Sequence, residues 1–231
     1  MTSGSQWRLV PVGDSVLVVE FEERIDRFVN ARAVSLARRL RAETVPGIRD
    51  VVPTFRSVAV YFDPLQTDYE ALIRRLEGAV ASLEAPEEQS AAELVVEPIR
   101  VPVCYGGRFG PDLAEVAAFG GVTESEAADL HASAVYRVFM IGFRPGFAYM
   151  GTVDPRIAAP RRSNPRTRVP AGSVAIAGPQ TGIYPSESPG GWQLIGRTPV
   201  RLFDLSQPEP STFAAGDLVQ FYPVSPVDAG L

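Results

Sequence analysis

Arg168 and Arg197 are the side chains best suited by sequence to hold an anion. Each lies in a short block of small residues, RTRVPAGS and GRTP, where a planar guanidinium can grip a carboxylate or phosphate through two parallel hydrogen bonds. The alternative for both is a barrel-rim ion pair. Near them stand Gly172-Ser173 and Ser188 with Gly190-Gly191, whose backbone N–H and hydroxyl groups suit an oxyanion or a phosphate oxygen. Gln180 and Tyr184 suit neutral hydrogen bonds to an amide, and Trp192 is a core or wall residue. Acid/base groups are scarce: Glu187 sits in the most turn-dense block, with Asp154 and Asp204 as further options. His131, the single histidine, falls at the C-terminal end of an expected short helix, where the helix dipole favours its charged form. It is either a packed or capping residue or a catalytic one. The expected site therefore has His131, Glu187 and Arg197 as catalytic groups, and Arg168, Gly172, Ser173, Gln180, Tyr184, Ser188, Gly190 and Gly191 as binding groups. None of these serines fits G-x-S-x-G, so a nucleophile elbow is unsupported.

These residues share one segment, Gly142 to Pro199, which holds 18 of the chain's 41 Gly and Pro residues. Gly admits φ > 0 and close approach, and Pro fixes φ and removes a donor, so together they specify turns with little slack. The segment carries seven Arg against Asp154 and Glu187, a balance of +5 inside a chain of net charge −5. A cationic, turn-rich patch in an acidic protein points to an anionic small ligand or an acidic partner surface. Arg161, Arg162 and Arg166 read as a solvated loop face or a partner contact.

Composition removes several chemistries. All 22 basic residues are Arg, so the chain has no Lys for a Walker A loop, for biotin attachment, or for a Ser-Ser-Lys amidase. One cysteine, Cys104 in VPVCYGG, excludes an internal disulfide and a Cys-based zinc cluster and reads as a buried structural thiol. One histidine excludes a multi-histidine metal site, and no metal is expected. The acidic balance argues against nucleic acid. No run approaches the length of a membrane span, and the opening MTSGSQ lacks the regions of a secretory signal, so a cytoplasmic protein is expected.

The elements that must position the segment follow from periodicity. VLVVEF (residues 16–21) and VAVYF (58–62) are strand-like, and each precedes a helix. Val29, Ala33, Leu36, Ala37 and Leu40 mark the first helix; Tyr69, Leu72, Ile73, Leu76, Val80 and Leu83 mark the second, with Thr67 and Glu70 as a capping box. A third strand near Leu94 to Cys104 would complete a small sheet with both helices on one face. An acidic linker is expected over Leu83 to Glu97, dividing the chain into an α+β domain at 1–90 and a β-barrel domain at 91–231. The second half opens with a strand and two short helices, one with Pro111 at its first turn and Gly120-Gly121 at its end, the next capped by Thr123 and Glu126. Short apolar runs between Gly/Pro turns then argue a closed antiparallel β structure, and PVSPVDAGL a loose tail.

Four blocks in order, GFRPGFAYMG, RTRVPAGSVAIAG, QTGIYPSESPGGW and LIGRTP, resemble the family called allophanate hydrolase subunit 1, which includes Kip-type kinase inhibitors and the B subunit of bacterial 5-oxoprolinase. HASAVYRVFM is similar to the family's block around a histidine. The resemblance implies a small N-terminal α/β sandwich domain followed by a cyclophilin-like barrel. It also implies a 5-oxoprolinase subunit that opens a lactam substrate to glutamate while ATP, with Mg, is hydrolysed in an assembled complex. The implied partners are a second carboxyltransferase-like subunit of the allophanate hydrolase subunit 2 type and a lactam-utilisation-type subunit. Two alternatives come with the family: a biotin-dependent urea-type carboxyltransferase subunit and a Kip-type inhibitor of a sensor histidine kinase.

Overall fold

The computed structural model describes residues 7–83 and 97–230. The chain forms two compact units, residues 1–96 and 97–231. The expected linker and the expected boundary at residue 90 fall almost wholly outside the described residues.

In the first unit, strands β1 (Trp7–Val12), β2 (Val16–Phe21), β3 (Ile48–Pro53) and β4 (Ser57–Phe62) form an antiparallel sheet in the order β1-β2-β4-β3. Helices α1 (Arg27–Ala42) and α2 (Tyr69–Ala81) pack on it around Leu17, Val19, Val58 and Val60 of the strands. In α1 all five expected apolar positions are buried, and the Asp26 carboxylate accepts from the N–H groups of Phe28 and Val29 to close its first turn. The cap of α2 is Asp68 rather than Thr67, with Asp68 Oδ1 accepting from Ala71 N at 2.9 Å. β1 and β3 were not expected, because charges and proline dilute their alternation. Both are edge strands, where Pro11 and Pro53 leave no central ladder bond unmade.

The third strand expected in this sheet belongs to the second unit. There β5 (Ile99–Tyr105), β6 (Val135–Ile141), β7 (Ala148–Gly151), β9 (Ser173–Ala177), β10 (Gln180–Ile183), β12 (Gln193–Arg197) and β13 (Leu218–Pro223) close a barrel in the order β10-β7-β6-β13-β5-β12-β9. All pairings are antiparallel except β13 with β5. The exception is forced, since strict alternation cannot close around seven strands. β8 (Arg166–Val169) and β11 (Ser188–Gly190) pair separately.

Helix α3 (Leu113–Gly120) ends on Gly121 in the left-handed region, as expected, and α4 (Glu124–Ser133) carries the Thr123–Glu126 capping box. α3 begins after Asp112, not at Pro111, and the Asp112 side chain makes no cap bond. A short α5 (Pro226–Ala229), capped by Ser225, lies in the tail expected to be loose. Among the described residues no helix is long and apolar enough to cross a membrane.

Candidate functional site

Strand β9 divides two environments. Side chains alternate along a strand, so Val174 and Ile176 enter the barrel interior while Ala175 and Ala177 face outward. The outward positions are small, and rings fill the space over them. Phe147, Tyr184 and Trp192 pack there with Val169 and Leu194, and Tyr149 borders the cluster. Phe147 lies edge-on to Tyr149, Trp192, Tyr184 and Phe143 at centroid distances of 4.8, 5.5, 5.5 and 5.4 Å. Edge-to-face contact is the favoured arrangement of aromatic rings. The Gly/Pro segment thus supplies four of the barrel strands, β7, β9, β10 and β12, and with its turns and outward-facing rings builds a second layer on the outside of the barrel.

Two glycines show why its backbone is specified. Gly172 holds a φ of 79°, and a side chain there would strike the Thr198 carbonyl. At Gly190 a Cβ would collide with the Tyr184 hydroxyl.

The layer's arginines sort by partner. Asp112, 3% exposed, accepts from Arg162 Nη1 at 2.9 Å, from Arg166 Nη1 and Nη2 at 2.8 and 2.7 Å, and from Leu194 N at 2.6 Å. One carboxylate therefore ties the loop at 160–166 to the start of α3 and to β12. Arg156 pairs with Asp154, whose carboxyl is pulled down to about 2 by hydrogen bonds from Arg156. Arg168 grips Glu187 with both ends of its fork, at 3.0 and 2.8 Å. Both side chains are exposed, so this is the barrel-rim ion pair rather than an open anion site. Arg168 also holds the Glu187 carboxyl below its usual range, which weakens it as a base.

Arg144, Arg161 and Arg197 have no carboxylate partner among the described residues. Arg197 Nε donates to Ala171 O at 3.0 Å. The Arg161 guanidinium carbon lies 5.9 Å from the Trp192 ring centroid. Burial raises the nearby Tyr149 phenol, and the Arg161 charge acts against that rise.

The other expected site groups are not gathered around one point. His131 is fully buried inside the barrel, stacked on Phe221 at 4.6 Å. Thr181 Oγ1 donates to Ala175 O, so it accepts from His131 Nε2 at 2.8 Å, and Nδ1 is left to accept from Tyr105 O–H at 2.7 Å. These partners assign the neutral Nε2–H tautomer. Burial drives the ring's pKa down to about 3, so the charged form expected from the helix dipole is corrected. Desolvation outweighs the dipole because the ring is out of water altogether, and a catalytic role has no support in this placement.

Two of the expected oxyanion donors are already bonded: Gly172 N–H to Tyr184 O at 2.7 Å and Ser173 N–H to Pro170 O at 3.3 Å. Ser188 Oγ is buried without a partner, Gly191 O accepts from Arg162 N, and the Tyr184 hydroxyl is buried with a bond to the Trp192 backbone. Gln180 is half-buried at the start of β10. Asp204 accepts from Ser206 within its own turn. Cys104 is buried, which raises its thiol pKa.

Sequence reasoning missed Asp112, taken only for a helix start, and Phe143. Phe143 has a φ of 67° in a three-residue turn closed by Arg144 N–H to Gly142 O at 2.8 Å, with its ring 59% exposed. The GFRPG string gave the signal for a tight turn but not for its strain. Among the described residues no group of three or more His, Cys, Asp or Glu is placed to hold a metal ion.

Residues 7–213 match the family described as "Carboxyltransferase domain, subdomain C and D", and the chain belongs to that family. The resemblance carried by the four blocks is borne out. The chain is 39% identical to the Bacillus subtilis protein named as the B subunit of 5-oxoprolinase, over 96% of this chain and 95% of that one. It is 40% identical to the Escherichia coli O157:H7 protein of the same name, over 92% and 94%. A more distant likeness, 25% identical, is to urea amidolyase of Saccharomyces cerevisiae, of which this chain spans 13%. Among solved structures, TTHA0988 superposes with a TM-score of 0.80 at 35% identity, over 91% of this chain. This chain spans 40% of the length of TTHA0988.

Proposed function

We propose that this chain is the B subunit of an ATP-dependent 5-oxoprolinase, the reading carried by its 39–40% identity, along nearly the full length of both partners, to two proteins of that name. Its working partners are then a second carboxyltransferase-like subunit and a lactam-utilisation-type subunit. That the chain spans only part of TTHA0988 supports a module that acts beside further segments.

The geometry favours half of a site. The outer layer offers arginines with no carboxylate partner among the described residues, together with aromatic rings, groups that bind and orient an anion. The carboxylates of the layer are paired with arginines or tied into turns, and the one histidine is sealed in the barrel. Proton transfer is therefore assigned to a partner. The nucleotide is assigned there too, because the chain has no Lys and the N–H groups of Gly172 and Ser173 are already bonded, leaving no phosphate cradle at that turn.

The test is glutamate release and ATP hydrolysis from 5-oxoproline by this chain co-expressed with its genomic neighbours, then by each component alone. Turnover in the assembled mixture only is the expected result. No oxoproline-dependent turnover in any mixture would overturn the reading and favour carboxyl transfer, the activity class in the family's description.

A further inference from the structure

Four of the seven arginines in the Gly/Pro segment are bound to Asp112, Asp154 or Glu187, which leaves the question of what the remaining charges face. Arg161 is the informative one. It is exposed, has no carboxylate partner among the described residues, and lies over the indole of Trp192 beside Tyr149. Its position is not accidental to a floppy loop. The next residue, Arg162, is pinned through Nη1 to buried Asp112 and through its N–H to Gly191 O at 2.8 Å, and the preceding Pro160 O accepts from Gln193 Nε2 at 3.1 Å, so the backbone that presents Arg161 is held from both sides.

The second observation is independent. At Phe143 a non-glycine residue occupies the left-handed region, in a γ-turn of the rarer hand, and the ring it projects is 59% exposed. Such a conformation costs of order 1–3 kcal/mol. In return the ring gains two edge contacts, at 5.4 Å to Phe147 and 6.4 Å to Tyr184, and the residue stays 59% exposed. The strained turn thus keeps an aromatic surface out in water, at one end of the ring cluster that ends under Arg161.

We propose that Arg161, Tyr149 and Phe143 form the binding surface for a small, flat ring bearing a single carboxylate, with the carboxylate on Arg161 and the ring against the aromatic side chains. On the functional reading above, on which this assignment rests, the ligand is 5-oxoproline. A monocarboxylate fits better than a nucleotide, since one guanidinium fork matches one carboxylate and a triphosphate needs a nest of free N–H groups. The assignment moves the anion contact from Arg168, which already holds Glu187, to Arg161.

The chain has two tryptophans, so a Trp7→Phe background leaves Trp192 as the reporter for an equilibrium titration of the full chain. 5-Oxoproline should produce a saturable fluorescence change. 2-Pyrrolidone, which lacks the carboxylate, and the Arg161→Ala variant should each bind about tenfold more weakly, the loss expected for a charge-assisted hydrogen-bonded pair. Arg168→Ala should leave the affinity unchanged. Phe143→Gly is the sharper variant, because glycine accepts the turn without strain: it should keep or raise the melting temperature while weakening 5-oxoproline several-fold, which a merely structural phenylalanine would not do.

No saturable response to 5-oxoproline, full affinity in Arg161→Ala, or a response to ATP–Mg in its place would overturn the proposal. The outcomes separate from those of the activity assay. Turnover by the assembled complex without binding at Trp192 would sink the site and leave the function. Binding without turnover in any mixture would sink the function and leave the site.

Discussion

The two faces of strand β9 lie one residue apart and solve opposite problems. Inside the barrel, the polar group His131 is kept neutral, and each ring nitrogen has one neutral partner, Tyr105 or Thr181. Outside, the turn-rich layer is fastened by charge, with a carboxylate 3% exposed between two arginines that are each about a quarter exposed. Neutral hydrogen bonds suit a region that water never enters, since an ion there would lose several kcal/mol of solvation. A charged clasp suits a layer at the water boundary, where it can fix loops that have no regular ladder to hold them. On the proposed reading, the interior is scaffold and the exterior carries the site.

The largest break in that comparison is Asp112→Ala, which leaves half-buried Arg166 without its counter-charge and Arg162 with only the exposed Glu115 at 3.6 Å. We expect a loss of about 3 kcal/mol, in the range for breaking a desolvated pair by removing one partner. Urea denaturation at neutral pH measures it.

The interior is broken by acid instead. His131 titrates near 3 when folded and at its ordinary 6.5 when unfolded, so only the unfolded chain takes up this proton between those values. Stability should be constant on this account above pH 6.5 and fall by about 1.4 kcal/mol per pH unit as pH drops through the window. With a single histidine in the chain, a slope just below pH 6.5 reports His131. A flat profile over that range would refute the buried neutral assignment.

The smallest effect is expected at the rim. Arg168→Ala removes an exposed pair and should leave the melting temperature where it was, as most surface ion pairs do.

The sequence made the regular parts of this design legible. Five apolar residues at helical spacing located α1, and Thr123 with Glu126 located the start of α4. The four blocks located the layer itself. Edge strands β1 and β3 were hidden because an edge tolerates proline and charge, which blur a strand's period. The site was harder, because pairing decides which arginine is available. Arg168 and Arg161 look alike in a string of letters, and only the fold shows that Glu187 is folded onto one while an indole lies under the other. His131 misled for a related reason: its helix-terminal position suggested a charge, and its burial forbids one.

The division between scaffold and site is tested most directly by kcat/KM for 5-oxoproline in the assembled complex, carrying either Thr181→Val or Arg161→Ala. Thr181→Val leaves the His131 N–H without an acceptor and should lower stability by about 1–3 kcal/mol with kcat/KM unchanged below the melting temperature. Arg161→Ala should keep the melting temperature and raise KM about tenfold. An unchanged kcat/KM in Arg161→Ala, or a lost kcat/KM in folded Thr181→Val, would contradict the account.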